Sequence, residues 1–580
     1  MLRGLFSSLL LSGAICLSVT ATAKDTAGAN ALMSYDAIHH PVMAGKGMVS
    51  AQDRIAAEVG RDILARGGNA IDAAVATGFA LAVTHPQAGN LGGGGFMMVH
   101  LAETGEVIAL DFREMAPAGA TRDMYLGADG EVDNRLAQYS RLSAGVPGTV
   151  MGLLDALESY GTMTRREVMG PSIKLASKGF PLSYAMAESL EDSREQLSVD
   201  PSTVDYFLGR KAGERFTQRD LAKTLRRIQK SGAKGFYEGK TADLIIAEMQ
   251  EGRGVMTLED LANYQTVKRE AVMGTYKGHE LYAMSPPSSG GVHIVQMLNI
   301  LSGYDLQADG HNSAAYLHKL IEAMRRAYAD RSKYLGDPDF VDVPVAALTA
   351  QSYADDLRET ISPNVAAKSS DITPGAKLPY ESVNTTHYSV IDKVGNAVSV
   401  TYTLNFSYGS GYSVDGAGFI LNNEMDDFSA KPGSPNGYGL IGGEFNKIEP
   451  RKRPLSSMTP VIVKKDGKVV LATGSPGGST IITSVMQMVL NVIEWDMNLA
   501  EAVHKPRIHH QWLPDIVITE PGISRDTLNR LSAMGHNLPK DENGDYAHTV
   551  LGRVNSVGQG QGVALGSADP RGPKSAAIGY

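Results

Sequence analysis

The feature that most constrains the fold is a change in sequence character at residues 362–384. Before it, residues 140–360 carry apolar side chains mostly at helical spacing, as at Leu317, Leu320 and Ile321. Within residues 362–384, Ser, Pro, Gly, Lys and Asp dominate without periodicity, which predicts a flexible, exposed linker. After it, short apolar runs predict strands. The fold must therefore combine helices from the first part with strands from the second.

Two hairpins and several helices are predicted from local signals. One hairpin has strands over 387–392 and 397–404 around Gly395-Asn396, and the other has strands over 460–463 and 469–473 around Asp466-Gly467. Helices are predicted over 70–83 and 481–495, and a glycine run at 89–95 lies between the first of these helices and a strand. A dinucleotide loop needs the reverse order, so the glycines indicate close backbone approach instead.

Composition excludes several classes of protein. The apolar fraction is 43% and the charged fraction 20%, which is typical of a globular chain and excludes general disorder. The net charge is −9 and no long Lys/Arg run occurs. Nucleic acid and anionic membrane surfaces are therefore not expected partners, because both require a basic patch.

The first 23 residues have the pattern of a signal peptide. A short basic start is followed by a mostly apolar stretch and by Ala21-Thr22-Ala23, which predicts cleavage after Ala23. The chain's single cysteine, Cys16, lies in this segment, so the mature protein can form no disulfide. No other apolar run is long enough to span a bilayer. We therefore expect an exported protein, periplasmic or secreted, without a membrane anchor.

The candidate nucleophile is Thr385, which follows Asn384 where the linker ends and a strand begins. A threonine hydroxyl needs a neighbouring base, and chain cleavage before Thr385 would supply its own α-amine for that purpose. An α-amine titrates at about 7.7–8.0, so it can accept a proton near neutral pH. This pattern alone also fits an ordinary threonine-rich strand edge.

Several longer motifs strengthen the catalytic interpretation. Residues 385–389, 451–458 and 473–479 resemble the γ-glutamyltranspeptidases, and so do residues 67–74, 111–114 and 288–291. The resemblance implies an α+β fold, the four-layer αββα sandwich of the N-terminal-nucleophile hydrolases, formed by two chains cut from one precursor. It also implies a large subunit of residues 24–384 and a small catalytic subunit of residues 385–580, which remain together as a heterodimer.

The same resemblance assigns a role to each candidate site residue. Thr385 is expected to be the nucleophile, Thr403 to orient it, and Gly477-Gly478 to form the oxyanion hole, for which a glycine pair before a helix is suited. The expected substrate-binding residues are Arg113, Ser456 and Ser457 for the donor α-carboxylate, Asn405, Glu424 and Asp427 for its α-ammonium, and Tyr438 in a lid at 432–443. Asp426, Arg451, Lys452 and Arg453 are expected to be solvated.

The resemblance implies an enzyme that cleaves glutathione or a related γ-glutamyl amide and passes the group to water or to an amino-acid or peptide amine. No cofactor and no metal site are predicted, because the adjacent pairs His39-His40 and His509-His510 lack a metal-binding pattern. The alternative within the same fold is a glutaryl-type (cephalosporin) acylase. The alternative from another class is an exported amino-acid-binding protein, which would stay one chain.

Overall fold

The computed structural model describes residues 37–372 and 385–580. The strands are β1 (Val42–Ala44), β2 (Met48–Ala51), β3 (Gly94–His100), β4 (Val107–Phe112), β5 (Phe180–Pro181), β6 (Arg215–Phe216), β7 (Val267–Arg269), β8 (Val272–Tyr276), β9 (His279–Ala283), β10 (Thr386–Ile391), β11 (Ala397–Thr403), β12 (Val461–Lys465), β13 (Lys468–Thr473), β14 (Ile508–His509), β15 (Ile518–Thr519), β16 (Asn555–Gly560), β17 (Val563–Ala568) and β18 (Ala576–Gly579).

The helices are α1 (Arg54–Ala65), α2 (Ala70–Thr84), α3 (Asn134–Gln138), α4 (Thr149–Tyr160), α5 (Arg165–Lys178), α6 (Tyr184–Asp192), α7 (Arg194–Leu197), α8 (Pro201–Phe207), α9 (Arg219–Ser231), α10 (Lys234–Tyr237), α11 (Lys240–Gln250), α12 (Leu258–Ala262), α13 (Gly290–Leu301), α14 (Leu306–Asp309), α15 (Ala314–Tyr334), α16 (Val345–Leu348), α17 (Gln351–Glu359), α18 (Thr480–Ile493), α19 (Leu499–His504) and α20 (Arg525–Ala533).

Two seven-stranded antiparallel sheets form the middle of the molecule. Sheet I has the order β18-β2-β10-β11-β3-β4-β7, and sheet II has the order β1-β17-β16-β13-β12-β9-β8. The alternation along β3 shows how they pack: Met97 and Val99 join the core shared with α1, α2 and α4, whereas Phe96 and Met98 join the core shared with sheet II, α13 and α18. The layers are therefore helices, sheet I, sheet II and helices, which confirms the expected αββα sandwich.

Both predicted hairpins are present, as β10–β11 and β12–β13. At the second, Asp466 and Gly467 have φ of 50° and 75°, the left-handed pair that a tight two-residue hairpin turn requires. The mostly helical interpretation of residues 140–360 omitted five short strands, β5 to β9. Two of them, β8 and β9, form a hairpin around Lys277-Gly278 at an edge of sheet II. β9 also pairs with β12, a strand distant in sequence.

Several predictions lie outside the described residues: the signal peptide at 1–23, the end of the linker at 373–384, and Asn384 itself. Residues 362–372 are mostly exposed, as predicted, but Ser369 is buried. The Trp512 indole N–H donates to the carbonyl oxygens of Ser369 and Ile372 at 3.0 and 2.8 Å. Within the described ranges, no helix is both long and apolar enough to cross a membrane.

Candidate active site

Thr385 immediately precedes β10, and Thr403 ends the paired strand β11. The strand register brings both residues to one end of sheet I, where their side-chain oxygens lie 3.3 Å apart and both are buried. The Thr403 oxygen also accepts a hydrogen bond from the Asn405 backbone N–H at 2.9 Å. These contacts fix the Thr403 hydroxyl beside the candidate nucleophile.

The glycine run between α2 and β3 allows its backbone to pass close to the end of β11. A Cβ on Gly93 would lie 1.9 Å from the Thr403 carbonyl oxygen, so no larger residue fits there. The expected close backbone approach is therefore confirmed at Gly93, directly behind Thr403.

His387, two residues after Thr385, does not serve as its base. Its two ring nitrogens contact the hydroxyls of Thr401 and Ser389, both at 2.9 Å. Burial lowers the pKa of His387 to about 3, so the ring is neutral and weakly basic. This leaves the α-amine of Thr385, once freed, as the group suited to accept its hydroxyl proton.

Gly477 and Gly478 form the turn between β13 and α18, with φ of 149° and 52°. The turn precedes a helix that begins at Thr480, so its N–H groups lie at a helix N-terminus. Gly478 lines the same cavity as Thr385, whereas Gly477 does not. A Cβ on Gly478 would lie 2.5 Å from the Tyr438 ring, which shows that the tyrosine packs directly on this turn.

Tyr438 closes the cavity from the side of the 432–443 loop. Its hydroxyl donates to the Asn405 carbonyl oxygen at 2.7 Å, and its ring meets the Phe406 ring edge-on with centroids 5.2 Å apart. The remaining cavity is only about 20 Å³. A substrate of amino-acid size therefore requires side chains of the cavity lining to move.

The positions expected to bind the donor's two charges contact each other in this structure. Arg113, which follows β4, is fully buried and pairs through its guanidinium with Glu424 and Asp427. Its Nε donates to the Pro454 carbonyl oxygen at 3.2 Å. An α-amino-acid group could replace this pairing, with its carboxylate on Arg113 and its ammonium on the acidic side chains.

Glu114 adds a third buried carboxyl to the pocket, and sequence reasoning assigned it no role. Burial raises the pKa of Glu114 to about 7, against the lowering effect of Arg113. Burial likewise raises the pKa of Glu424 well above its ordinary range. Because one guanidinium faces three carboxyls, we expect the Glu114–Glu424 pair to hold one proton.

Ser456 and Ser457 lie next to Arg113 and are held by residues that the sequence did not single out individually. The Ser456 carbonyl oxygen accepts from the backbone N–H and the hydroxyl of Ser289, both at 2.8 Å. Arg331 donates to the side-chain oxygens of Ser289 and Ser457 at 3.0 and 3.2 Å. Arg331 belongs to α15, distant in sequence, so only the folded chain reveals this contact.

Two predictions of solvent exposure are wrong: one for Lys452 and Arg453 in the basic turn, and one for Asp426. Lys452 and Arg453 are buried: Lys452 pairs with Glu449 at 2.9 Å, and the Arg453 side chain donates to the Gln265 carbonyl oxygen at 2.8 Å. Asp426 is buried too, and it accepts hydrogen bonds from the Gly437 N–H and the Gln138 amide at 2.9 and 3.1 Å. Arg453 and Asp426 have partners distant in sequence, Gln265 and Gln138, which a single sequence does not show, whereas the partner of Lys452 is local. Arg451 is exposed as expected.

One group of possible metal ligands occurs in the described part of the chain: His318, Glu322 and His536. The two histidines contact each other at 2.8 Å, and His318 also donates to the Ser362 carbonyl oxygen. Glu322 pairs with Arg326 at 2.6 Å. These contacts engage the ligand atoms within the protein and attach the start of the linker to α15.

The predicted site residues meet in one place. Arg113, Thr385, Thr403, Asn405, Glu424, Asp427, Tyr438, Ser456, Ser457 and Gly478 all line the same small cavity. Strands of both sheets end there, so residues far apart in sequence converge on the Thr385 hydroxyl. The arrangement combines a nucleophile, a glycine turn and a pocket carrying both signs of charge.

Comparison with known proteins agrees with this arrangement. The family model described as Gamma-glutamyltranspeptidase matches residues 56–579. The glutathione hydrolase proenzyme of Escherichia coli (strain K12) is 50% identical over 549 residues, covering 94% of this chain and 93% of the relative. Among solved structures, Helicobacter pylori gamma-glutamyltranspeptidase is 49% identical, with a TM-score of 0.55, over 56% of this chain and 93% of its own.

A similar overall fold is found in the cephalosporin acylase from Bacillus halodurans, with a TM-score of 0.82 and 28% identity over 94% of this chain and 98% of its own. Identity to this acylase is far below that to the E. coli glutathione hydrolase proenzyme. The family model itself spans nearly all of the described residues. The chain therefore belongs to the gamma-glutamyltranspeptidase family.

Proposed function

We propose that this chain is a precursor that cleaves itself between Asn384 and Thr385 and then acts through Thr385 as a γ-glutamyltransferase and hydrolase. The Thr385 hydroxyl attacks the Asn384 carbonyl carbon, the peptide bond breaks, and an ester forms. Water hydrolyses that ester. The products are chains 24–384 and 385–580, and the second begins with the free α-amine of Thr385.

In the mature enzyme, Thr385 attacks the γ-carbonyl of the donor. Its α-amine accepts the hydroxyl proton and passes it to the leaving amine, while the N–H groups of Gly477 and Gly478 stabilise the oxyanion. Thr403 orients the nucleophile. Water or an acceptor amine then attacks the γ-glutamyl ester and restores the Thr385 hydroxyl.

The observation that carries this proposal is the placement of Arg113, Glu424 and Asp427 around the cavity that contains Thr385. A γ-glutamyl donor such as glutathione has both an α-carboxylate and an α-ammonium, which match a pocket with both signs of charge. Ser456 and Ser457 add hydroxyls on the carboxylate side, and Asn405 adds an amide on the other. A glutaryl donor lacks the ammonium, so the acidic side chains disfavour the acylase alternative.

The test is a comparison of two donors with the wild-type protein. We expect γ-glutamyl-4-nitroanilide to be cleaved with a much higher kcat/KM than glutaryl-4-nitroanilide, and added amino acids or peptides to increase nitroaniline release. A preference for the glutaryl donor would assign the chain to the acylases instead.

We also propose that residues 1–23 direct export to the periplasm or the medium and are then removed. Support comes from the basic start, the apolar stretch and the small residues before Lys24. Fractionation of cells expressing the full chain tests this, because the mature protein should begin at Lys24 and be absent from the cytoplasm.

A further inference from the structure

A second and much larger cavity, of about 1030 Å³, lies beside the donor pocket. Phe406 and Gly437 line the large cavity. The next residue, Tyr438, lines the small cavity, and its ring contacts that of Phe406. These neighbouring residues separate the two cavities. Gln52 also lines the large cavity, and its side-chain oxygen accepts from the His387 backbone N–H at 3.2 Å. The large cavity therefore lies next to the Thr385 end of sheet I.

Arg553 lines this cavity and is attached to the proposed oxyanion turn. Its backbone N–H donates to the Ser475 hydroxyl oxygen at 3.0 Å, two residues before Gly477. Its guanidinium has one hydrogen bond within the described residues, from Nε to the Arg571 carbonyl oxygen at 3.4 Å. Side-chain carbon of Arg553 lies against Gly572, another residue of the cavity wall.

Arg553 differs from its neighbours in lacking an acidic partner. Arg507 pairs with Asp569 at 2.8 Å, and Arg571 pairs with both Asp569 and Glu520. No carboxylate of the described ranges pairs with the Arg553 guanidinium. Burial lowers the pKa of Arg553, and the nearby Asp569 carboxylate, which pairs with Arg507 and Arg571, opposes this lowering only in part.

The other charges of the cavity favour an anion at Arg553. Lys574 is already compensated, because its ammonium lies 3.3 Å from the Asp53 carboxylate. The cavity lining also includes exposed acidic side chains of α6 and α7, namely Glu188, Asp192 and Glu195, and one exposed cation, Arg135. A ligand carboxylate is repelled by the acidic side chains and attracted most to the partly buried Arg553, because water screens the charge of Arg553 less than that of Arg135.

We infer that Arg553 binds the carboxylate of the acceptor, an amino acid or short peptide with a free C-terminus, in the large cavity. This inference rests on the proposed γ-glutamyl transfer. The acceptor's amine nitrogen, directed toward the γ-glutamyl ester of Thr385, forms the new amide bond. The ester bond to Thr385 breaks, and the proton lost by the amine passes to the Thr385 oxygen.

The test uses γ-glutamyl-4-nitroanilide as donor, which has no carboxylate in its leaving group, with glycylglycine or glycylglycinamide as acceptor. Arg553→Gln should lower the acceptor kcat/KM for glycylglycine by about 10-fold or more, as expected for loss of a charged hydrogen bond, and change that for the amide by less than about 2-fold. For Arg553→Lys, the acceptor kcat/KM for glycylglycine should lie between those of the wild type and Arg553→Gln, because an ammonium keeps the charge but loses the planar guanidinium geometry.

Arg135→Gln is the matched control, since it removes the same charge from another, exposed residue that lines the same cavity. Its ratio of glycylglycine to glycylglycinamide kcat/KM should equal that of the wild type. An unchanged ratio in Arg553→Gln would overturn the inference, whatever the absolute rate, because both acceptors are measured with one protein. Absence of nitroaniline release by the wild type would instead contradict the proposed function.

Discussion

Arg113 forms ion pairs with Glu424 and Asp427, so a donor bound in the proposed way replaces an ion pair within the protein. Under this proposal each of these side chains stabilises the pocket without a donor and also contacts the donor when it binds. Substitutions should be compared between two donors rather than judged on one, because damage to the pocket lowers both rates while loss of a donor contact lowers only one.

Asp427→Asn keeps the side-chain shape and removes its charge. Loss of one partner of a desolvated charge pair costs about 2–5 kcal/mol, so kcat/KM for γ-glutamyl-4-nitroanilide should fall roughly 30-fold to several thousand-fold. The glutaryl donor has no ammonium, so its kcat/KM should not fall. Equal decreases in kcat/KM for both donors, measured with fully processed protein, would show that Asp427 has only a structural role.

The Glu114–Glu424 pair makes a prediction about pH. Both carboxyls have raised pKa values because of burial, with that of Glu114 at about 7. A raised pKa means that the folded state binds the proton more tightly, so this contribution to stability is complete below about pH 4.3, the unfolded value, and is lost as pH rises through about 7.

Glu424→Gln removes one of the two titrating groups and supplies an amide donor to Glu114. We expect the decrease in Tm between pH 5.5 and pH 8 to become smaller than in the wild type, with processing retained. The measurement is thermal unfolding across that range, in buffers of equal ionic strength. Superimposable Tm profiles for the two proteins would contradict the shared proton.

Local signals suggested part of this site, but the resemblance to a family assigned the roles. Thr385 follows a linker and Gly477-Gly478 precedes a helix, and either pattern alone also fits an ordinary structural element. The contacts of Arg331 and the buried state of Arg453 were not predictable in this way, because each depends on partners brought close by the fold. Burial of a charge is a tertiary property.

At the scale of elements, the 432–443 loop determines how open the donor pocket is. The Tyr438 ring lies on Gly478, and its hydroxyl binds the Asn405 carbonyl oxygen. Tyr438→Ala should raise KM for the donor about 10-fold or more and increase the share of hydrolysis over transfer, because water reaches the ester.

Tyr438→Phe is the matched control, since it keeps the ring and loses one hydrogen bond, worth about 1 kcal/mol or roughly 5-fold. Donor KM and the transfer-to-hydrolysis ratio are measured for both variants. If the alanine and phenylalanine variants behave alike, the ring does not act as a cover.

Two hairpins and the long helices were predictable, whereas the short strands β5 to β9 were not. The turns Gly395-Asn396 and Asp466-Gly467 specify hairpins by their own conformational preferences. Strands β8 and β9 flank a two-residue turn, Lys277-Gly278, that lacks the usual Asn-Gly or Asp-Gly sequence, and β9 also pairs with β12 across more than a hundred residues of sequence.

At the scale of the whole molecule, both sheets combine strands from before and after residue 384. In sheet I, β10 and β11 lie between β2 and β3, and in sheet II, β1 pairs with β17. The two proposed chains share both hydrophobic cores. The sequence predicted a helix-rich and a strand-rich part but could not show this mixing, which depends on pairing between distant segments.

Cleavage before Thr385 should therefore leave the two chains associated without any covalent bond. Size-exclusion chromatography in native buffer should give one species that contains both chains, and separation should require denaturant. Recovery of a free, folded small chain in native buffer would contradict the mixed sheets.

The most direct test of the central claim is intact-mass analysis of the purified wild type and Thr385→Ala under denaturing conditions. The wild type should give two chains of about 38 and 21 kDa, in proportion to their shares of 61.7 kDa for 580 residues, with the smaller one beginning at Thr385. Thr385→Ala should remain a single chain without γ-glutamyl activity, because no hydroxyl starts the acyl shift. A Thr385→Ala protein that is still cleaved directly after Asn384, or a wild type that remains one chain, would contradict the account.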